Sequence, residues 1–498
     1  MALSFQQEPV DSADKVPVIT NWNPVVGYML KESTISGLYY FKLVLEVYIG
    51  ASAVATKKIA KLKQRRNGYP ADVSGNAARA YFDLKDIVNS QLVDTVYDQN
   101  STAPFMKTIH KLGSAVTTKP FSWNGDQTKT YGDDSTPKSQ LLQIFVKGYQ
   151  HYSSAVNTSH VEDISGAVTD SLYWTNATLP LFTPRDTDDD YLQGTHFQVF
   201  QLNDDAARFL SDVQQSGGDV VGGSVYRNYV QDTDYHTLGF LNGETDFDSK
   251  GRYFVIKYYA SSGTEINAAT EKQLSNKYSA GGAKPLTADN EVDLDKERII
   301  YVGCGPGNLE AQTYDNDAKP SNNAGWAYYT IKASSNGGVS GNDMSALYYF
   351  IKQDGSCKGF KVRRLAWRNS LGCWDYFNFK MKSEQSINIE RNTYSSMLGD
   401  FDGRRFSYND SERGERTRET SATLEETLNT DWLTEQDAEL LEGLMVSTNV
   451  EVVENADTDY TQGVVIADNS FVRKTVANDK MIQYTIKIKY ANPLNTNS

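Results

Sequence analysis

The chain has 498 residues, which at roughly 150 residues per domain predicts two to four domains. Its 49 Lys and Arg residues are outnumbered by 63 Asp and Glu residues, and the net charge of −14 argues against a protein that wraps nucleic acid, because neutralising phosphates needs a basic excess. No stretch approaches the roughly 18 apolar residues of a membrane-spanning helix, so we expect no membrane span.

The first third of the chain begins with a strongly patterned strand. From Tyr39 to Ile49 apolar residues occupy every second position, which is the period of a half-buried β-strand. The basic run 57–66 follows and is interpreted as a solvated sheet edge, because lysine and arginine protect edges from unwanted pairing. Between Asn76 and Leu92 apolar residues recur at helical spacing and predict one short amphipathic helix.

The middle third is less regular. Strands are predicted at His196–Gln201 and Arg252–Tyr259, with a helix between them over Asp204–Gln214. The small and polar residues from Ser261 to Asp295 predict a long loop. Changes in composition place domain boundaries near 165 and 297, which gives three predicted domains, 1–165, 166–297 and 298–498.

The last third is the most strongly patterned. Strands are predicted at Tyr348–Lys352, Phe360–Trp367, Asp375–Lys380, Ser383–Arg391, Asn449–Val453, Gly463–Ala467, Phe471–Val476 and Met481–Tyr490. An amphipathic helix over about 434–446 begins at the N-cap residue Thr434, with Asp437 three residues later. The predicted fold is therefore mainly β, with several domains of antiparallel β-sandwich or β-meander type and a few short helices.

A polar arm precedes that helix. Residues 406–421 carry charges of both signs and have no apolar period, which predicts a mobile segment that gains order only against another surface. Its candidate assembly residues are the arginines of the arm and the two just before it, namely Arg404, Arg405, Arg413, Arg416 and Arg418.

One motif has a chemical interpretation. The apolar strand from Ile299 runs into the G-x-G-x-G segment 303–307, which resembles the cofactor loop of S-adenosylmethionine-dependent methyltransferases. Such a loop is followed by a helix, and by a second strand that ends in an acidic residue about 20 residues later. Residues 310–325 match neither, so we expect a tight turn between β elements and no cofactor.

Other residues with reactive or metal-binding side chains are sparse. The five histidines lack metal-ligand spacing, and Cys304, Cys357 and Cys373 match neither a disulfide framework nor a zinc site. The acidic run Asp186–Asp190 has two interpretations, a hard-cation site and, in preference, a solvated turn. No catalytic or metal-binding residue is predicted.

The densest aromatic segment runs from Arg364 to Phe379. Two predicted strands joined by 369–372 bring its aromatic side chains close together. Such density is usual in a hydrophobic core or a subunit contact, and a carbohydrate-stacking platform is the alternative. The candidates are Trp367, Trp374, Tyr376, Phe377 and Phe379.

The same segment, RLAWRNSLGCWDYFNF, followed by 387–394, resembles virion structural proteins of tailed bacteriophages, particularly the crAss-like and marine groups. The N-terminal pattern from Trp22 to Tyr48 is similar to the same group, and the C-terminal order of helix and strands is similar to that group and to distal tail ring proteins. The resemblance implies a non-enzymatic subunit of the tail, baseplate, hub or collar, made in the host cytoplasm and located in the virion. Its implied partners are further copies of the chain and other virion proteins.

Two alternatives come from other classes. A receptor- or carbohydrate-binding virion protein would bind host surface polysaccharide through exposed Tyr and Trp side chains. A methyltransferase would need the nucleotide-binding context that the G-x-G-x-G segment lacks in sequence.

Overall fold

The computed structural model describes residues 3–7, 18–19, 27–33, 35, 38–50, 57–65, 78–92, 109–111, 121–123, 141–156, 158–175, 177, 201–202, 205–213, 215–216, 225–242, 253–270, 272–275, 299–312, 315–334, 343–353, 359–397, 399–401, 403–407, 414–453, 461–468, 470–472 and 482–492. They form a mainly β protein with several antiparallel sheets, as predicted. No helix among them is long and apolar enough to cross a membrane.

The chain forms two compact units. Unit 1 contains Met1–Gln353 and Arg368–Asp375, and unit 2 contains Asp354–Trp367 and Tyr376–Ser498. The predicted boundaries near 165 and 297 do not coincide with this division. Position 165 lies inside a strand, Val161–Thr175, which pairs with Leu141–Ser153 on both sides of that position.

Unit 1 contains eighteen of the described strands. They are β1 Leu3–Gln7, β2 Val18–Ile19, β3 Gly27–Glu32, β4 Tyr39–Ile49, β5 Lys57–Arg65, β6 Ala78–Asp83, β7 Phe121–Trp123, β8 Leu141–Ser153, β9 Val161–Thr175, β10 Gln201–Leu202, β11 Gln215–Ser216, β12 Val225–Val230, β13 Thr237–Asn242, β14 Tyr253–Tyr259, β15 Gln273–Ser275, β16 Ile299–Gly303, β17 Tyr328–Ser334 and β18 Tyr348–Lys352. Its helices are α1 Lys85–Asn89 and α2 Pro306–Ala311, with 3₁₀ turns at Ile109–Lys111, Asn316–Ala318 and Pro320–Asn323.

The first sandwich of unit 1 packs a three-stranded sheet, β1-β3-β6, against a five-stranded sheet, β2-β9-β8-β4-β5. The predicted strand at 39–49 is confirmed as β4, and its alternate residues Phe41, Leu43 and Leu45 enter the core with Phe82 and Trp174. The basic run is confirmed as a sheet edge, because β5 is the last strand of its sheet.

The second sandwich packs a six-stranded sheet, β11-β12-β18-β17-β14-β15, against a four-stranded sheet, β10-β13-β16-β7. Aromatic side chains fill the space between them: Phe240 of β13 contacts Phe254 of β14, with ring centroids 5.0 Å apart, and Phe209 contacts both. The predicted strand at 252–259 is confirmed as β14.

Two predicted helices are wrong. Residues 78–83 of the segment 76–92 form β6, which pairs with β3 and buries Ala78, Ala80 and Phe82 at a period of two, and only residues 85–89, α1, are helical. Residues 205–213, within the other predicted helix, form turns and irregular backbone, because several of their amide and carbonyl groups bond to distant segments. Examples are the Leu210 amide, which donates to the Gly239 carbonyl, and the Ala207 carbonyl, which accepts from the Ala346 amide.

Unit 2 is built on one seven-stranded sheet in the order β20-β19-β25-β26-β27-β24-β21. The strands are β19 Arg363–Arg368, β20 Trp374–Phe379, β21 Glu384–Ser395, β24 Glu415–Asn429, β25 Val450–Val453, β26 Thr461–Ile466 and β27 Thr485–Tyr490, with a small separate pair, β22 Asp400–Phe401 and β23 Phe406–Ser407. Residues 368 and 374–375, at the facing ends of β19 and β20, belong to unit 1.

The predicted C-terminal helix is confirmed as α3, Glu435–Val446. Thr434 and Asp437 form the predicted capping box, in which each side chain bonds to the other residue's backbone amide. Leu440, Leu441 and Leu444 are buried, so the apolar face of the helix is part of the core of unit 2.

A buried ion pair shows that the seven-stranded sheet curls. Arg363 of β19 donates from Nε to Oε1 of Glu426 in β24 at 2.9 Å. These strands are four spacings apart in the sheet order, about 19 Å if the sheet were flat, which is more than the two side chains can span. Burial would raise the pKa of Glu426, but hydrogen bonds from Arg363, Tyr490 and Gln385 outweigh burial and lower it.

A second carboxylate is held in the first sandwich of unit 1. Glu46 of β4 is buried and accepts bonds from Lys58 Nζ at 2.7 Å, from the Tyr48 hydroxyl at 2.5 Å and from the Tyr149 hydroxyl at 3.1 Å. Burial alone would raise the pKa of Glu46, but these three bonds outweigh it and lower the pKa to about 2.

We therefore expect Glu46→Gln to cost about 2 kcal/mol of unfolding free energy at pH 7, the usual contribution of hydrogen bonds to a charged group. Because the folded-state pKa lies below the ordinary value of 4.5, this stabilisation is present above pH 4.5 and is lost as the pH falls towards 2. The measurement is urea denaturation at pH 7, 4 and 3. Glu162→Gln is the control, since this carboxylate is 39% exposed and its lysine pairs are worth at most about 1 kcal/mol. An equal cost of Glu46→Gln at pH 7 and pH 3 would contradict the prediction.

Candidate assembly surface

A two-stranded ribbon extends from the sheet of unit 2. Strands β21 and β24 pair from Glu384 with Thr427 to Ser395 with Glu415, whereas β27 pairs with β24 only over Glu425–Asn429. Residues 415–424 of β24 therefore have β21 as their single neighbouring strand among the described residues. At about 3.3 Å per residue, this part of the ribbon is about 30 Å long.

The ribbon is exposed to an unusual degree. Every residue of β21 is exposed, and so are residues 415–419 of β24. Ile387 and Ile389 are 54% and 47% exposed, although they lie beside Leu424 and Ala422 on the same face of the ribbon. Isoleucine pairs at such exposure contribute little to the folding of one chain, so this face is a candidate contact surface.

One irregularity interrupts the ribbon. Asn392 pairs with Glu419 and Thr393 with Thr417, so β24 carries one extra residue, Arg418, at a β-bulge. The pairing is regular from Glu384 to Asn392.

The predicted mobile arm is partly wrong. Residues 406–407 form β23, which pairs with β22, and residues 415–421 belong to β24. Mixed charges are compatible with a strand here because the side chains are solvated, while the backbone bonds to β21. Residues 408–413, which include Arg413, lie outside the described residues. Of the other arginines, Arg404 and Arg405 lie between β22 and β23, and Arg416 and Arg418 lie in β24; all four are exposed.

The five aromatic candidates are all buried, none more than 8% exposed. Trp374 belongs to unit 1, where its ring and that of His110 form a T-shaped contact with ring centroids 4.7 Å apart. The other four candidates belong to unit 2. The ring centroids of Phe377 and Phe379 are 5.0 Å apart, and the Arg364 guanidinium carbon lies over the ring of Tyr376, 4.9 Å from its centroid. Rings buried in this way present no face on which a sugar could stack.

The hairpin turn that contains 369–372 is fixed by a buried polar centre that the sequence analysis missed. Asp375 accepts bonds from the Ser211 hydroxyl at 2.6 Å, the Asp212 amide at 2.8 Å and Asn369 Nδ2 at 3.1 Å, while the Asp212 carboxylate accepts from the Ser370 amide at 2.8 Å. Burial, with the charge of Asp212, raises the pKa of Asp375 to about 7. These bonds tie the turn to residues 211–212 of the same unit.

The glycines of the G-x-G-x-G segment pack against backbone. A Cβ on Gly305 would lie 2.4 Å from the His236 nitrogen and 2.6 Å from the Asp234 oxygen, and one on Gly307 would lie 2.7 Å from the Thr233 oxygen. The preceding strand, β16, is antiparallel to both of its neighbours, β13 and β7, which is not a nucleotide-binding βαβ arrangement. Close packing against residues 233–236 therefore accounts for Gly305 and Gly307 without a cofactor.

The expectation that the segment 303–307 is a tight turn between β elements is wrong, because α2 begins within it, at Pro306. Proline at the first helical position has the φ angle that a helix requires.

Three tyrosines form a row on the second sandwich. Tyr259 stacks on Tyr328 with ring centroids 4.9 Å apart, and Tyr328 stacks on Tyr349 at 5.7 Å. These contacts pack the side chains of neighbouring strands β14, β17 and β18 against one another.

The described residues include no group of three His, Cys, Asp or Glu side chains that could hold a metal ion. The acidic run Asp186–Asp190 and Cys357 lie outside the described residues. Cys304 and Cys373 are buried thiols that form no disulfide bond, and burial raises the pKa of Cys373 to about 12, which keeps it protonated at neutral pH.

No protein-family model matches the chain, and no curated protein sequence matches it.

We expect Gly305→Ala to lower the unfolding free energy by about 1–3 kcal/mol, the cost of forcing an extra carbon into packed backbone. Gly166→Ala is the matched control, because its added Cβ would have no atom within 4 Å. Thermal unfolding measures both variants, and calorimetric titration of the natural chain with S-adenosylmethionine should show no binding. Equal stability of the two variants, or micromolar binding lost in Gly305→Ala, would show that the glycine has another role.

We expect Trp374→Ala to cost about 3–5 kcal/mol, as deletion of a buried large aromatic side chain does. Trp432→Ala is the matched control: its side chain is 60% exposed, so its change should stay within about 0.5 kcal/mol. Denaturant unfolding compares the two. A cost below about 0.5 kcal/mol for Trp374→Ala would mean that this ring is not part of the core.

Proposed function

We propose that the chain is a non-enzymatic structural subunit of a bacteriophage virion, in the tail, baseplate, hub or collar, and that it acts by oligomerisation. The exposed ribbon of β21 and β24 is the observation that carries this proposal. The choice of a phage particle is based on a resemblance: the segment 364–379 and the N-terminal pattern resemble virion proteins of tailed phages.

The free-energy cost of keeping such a ribbon ordered supports the proposal. Fixing the backbone of each residue costs about 1–2 kcal/mol, and a two-stranded ribbon with no further layer is at best marginally stable in water. A second surface that covers Ile387 and Ile389 would supply the missing apolar burial. A subunit that meets neighbours in an assembly provides that surface.

The two alternatives have less support among the described residues. A carbohydrate-binding protein would use exposed Tyr and Trp side chains, whereas the five rings of the aromatic segment, the one stacking platform singled out in the sequence, are buried. A methyltransferase would need Gly305 and Gly307 to face a cofactor, whereas they face the backbone of residues 233–236.

The test is whether the chain is part of the particle. Mass spectrometry of purified virions should detect it at a stoichiometry matching other structural subunits. We expect the double variant Ile387→Asp/Ile389→Asp to fold but to be excluded from particles, because it places charge on the contact surface. The control Val161→Asp/Ile164→Asp changes two similarly exposed apolar residues outside the ribbon and should still be incorporated. Absence of the natural chain from virions, or binding of the monomer to host polysaccharide without assembly, would overturn the proposal.

A further inference from the structure

Strand β21 is paired with β24 along one edge, and no other described strand pairs with its second edge. We propose that this open edge pairs with β21 of a second copy of the chain, antiparallel and about a two-fold axis through Asn388. The inference rests on the proposed function, and it identifies the partner of the ribbon as a second copy of the chain.

The two edges of the ribbon differ in their suitability for pairing. The outer edge of β24 over 415–424 carries four charged residues within five positions, Glu415 to Glu419, and the bulge at Arg418, which are features that block strand addition. The edge of β21 is regular and exposed from Glu384 to Asn392. An extended strand can therefore add to β21, whose backbone groups supply the hydrogen bonds.

The sequence of β21 is complementary to itself in one antiparallel register. The regular segment 384–392 has its midpoint at Asn388, and a two-fold axis there keeps corresponding side chains on the same face. The facing pairs would be Glu384 with Asn392, Gln385 with Arg391, Ser386 with Glu390, Ile387 with Ile389, and Asn388 with itself. No residue faces a like charge, and each isoleucine faces an isoleucine.

The neighbouring registers are poorer. A centre at Ile387 sets Glu384 opposite Glu390, and a centre at Glu390 or Arg391 sets that charge opposite itself. A centre at Ile389 avoids like charges but places Ile387 opposite Arg391. The register about Asn388 is the one that joins both isoleucines of each copy to those of the other, in line with Ala422 and Leu424 on the same face.

Disulfide trapping tests the pairing and its register. In a Cys357→Ser background, Asn388→Cys should form a covalent dimer under mild oxidation, because the two residues 388 face each other. Thr423→Cys is the matched control: Thr423 pairs with Asn388 within the ribbon and lies on the same face, but its copies would be three strand spacings apart, about 14 Å, beyond disulfide reach. Cross-linking at residue 423 as fast as at 388 would indicate random collision, and preferential cross-linking of Ile389→Cys would indicate the other register; either result overturns the proposal.

Charge complementation is the second measurement. Ile387→Glu/Ile389→Glu and Ile387→Lys/Ile389→Lys should each weaken self-association by about tenfold or more, since like charges then face each other. An equimolar mixture should restore dimers, because Glu then faces Lys in the register about Asn388. Sedimentation measures the association, and circular dichroism checks that both variants fold. Dimerisation of both variants at the natural strength would contradict the pairing.

Failure of this inference and failure of the proposed function give different results. A natural chain that is present in virions, together with an Asn388→Cys variant that does not cross-link, would refute the edge pairing alone. An Asn388→Cys variant that cross-links, together with a natural chain that is absent from virions, would refute the virion role alone.

Discussion

The buried carboxylate of Glu426 fixes the point at which the ribbon leaves unit 2. It lies in β24 next to Glu425, the last residue of β24 that pairs with β27 before the ribbon continues with β21 alone. Arg363, Tyr490 and Gln385 bring donors to it from β19, β27 and β21. A charge taken out of water requires such compensation. Tyr490 and Gln385 reach Glu426 from the two strands next to β24, and Arg363 reaches it because the sheet curls.

Polar groups elsewhere in the described residues also serve architecture. The carboxylates of Asp375 and Asp212 accept hydrogen bonds that fix a hairpin turn. The carboxylate of Glu46 accepts hydrogen bonds from two tyrosine hydroxyls and one lysine ammonium group. Gly305 and Gly307 allow two backbone segments to come close together. The glycine-rich loop, which in sequence resembles a cofactor loop, thus has a structural explanation here.

The elements that can be predicted from local sequence are those determined by residues close together in the chain. The alternation in β4 and the capping box of α3 depend on residues a few positions apart, and both were predicted correctly. The helix expected at 76–92 failed because alanine locally favours a helix, and pairing with β3, about 50 residues earlier in the chain, overrode that preference. Only one strand of the ribbon was predicted: β21 matches the strand expected at 383–391, whereas the part of β24 over 415–421 was expected to be a mobile arm. Charged residues 415–419 look disordered alone, and only the partner strand β21 makes them a strand. Ile387 and Ile389, two apolar residues alternating with polar ones, were the available signal.

The bulge at Arg418 has a consequence for how far strand addition can spread. Open sheet edges risk unlimited lateral growth, which ends in fibres. Once β21 is occupied, the edge of the described ribbon that remains is that of β24, where an extra residue twists the backbone and charges of both signs flank it. Growth would stop at the first partner. The extra residue in β24 thereby limits strand addition to the edge of β21, and the assembly stays finite.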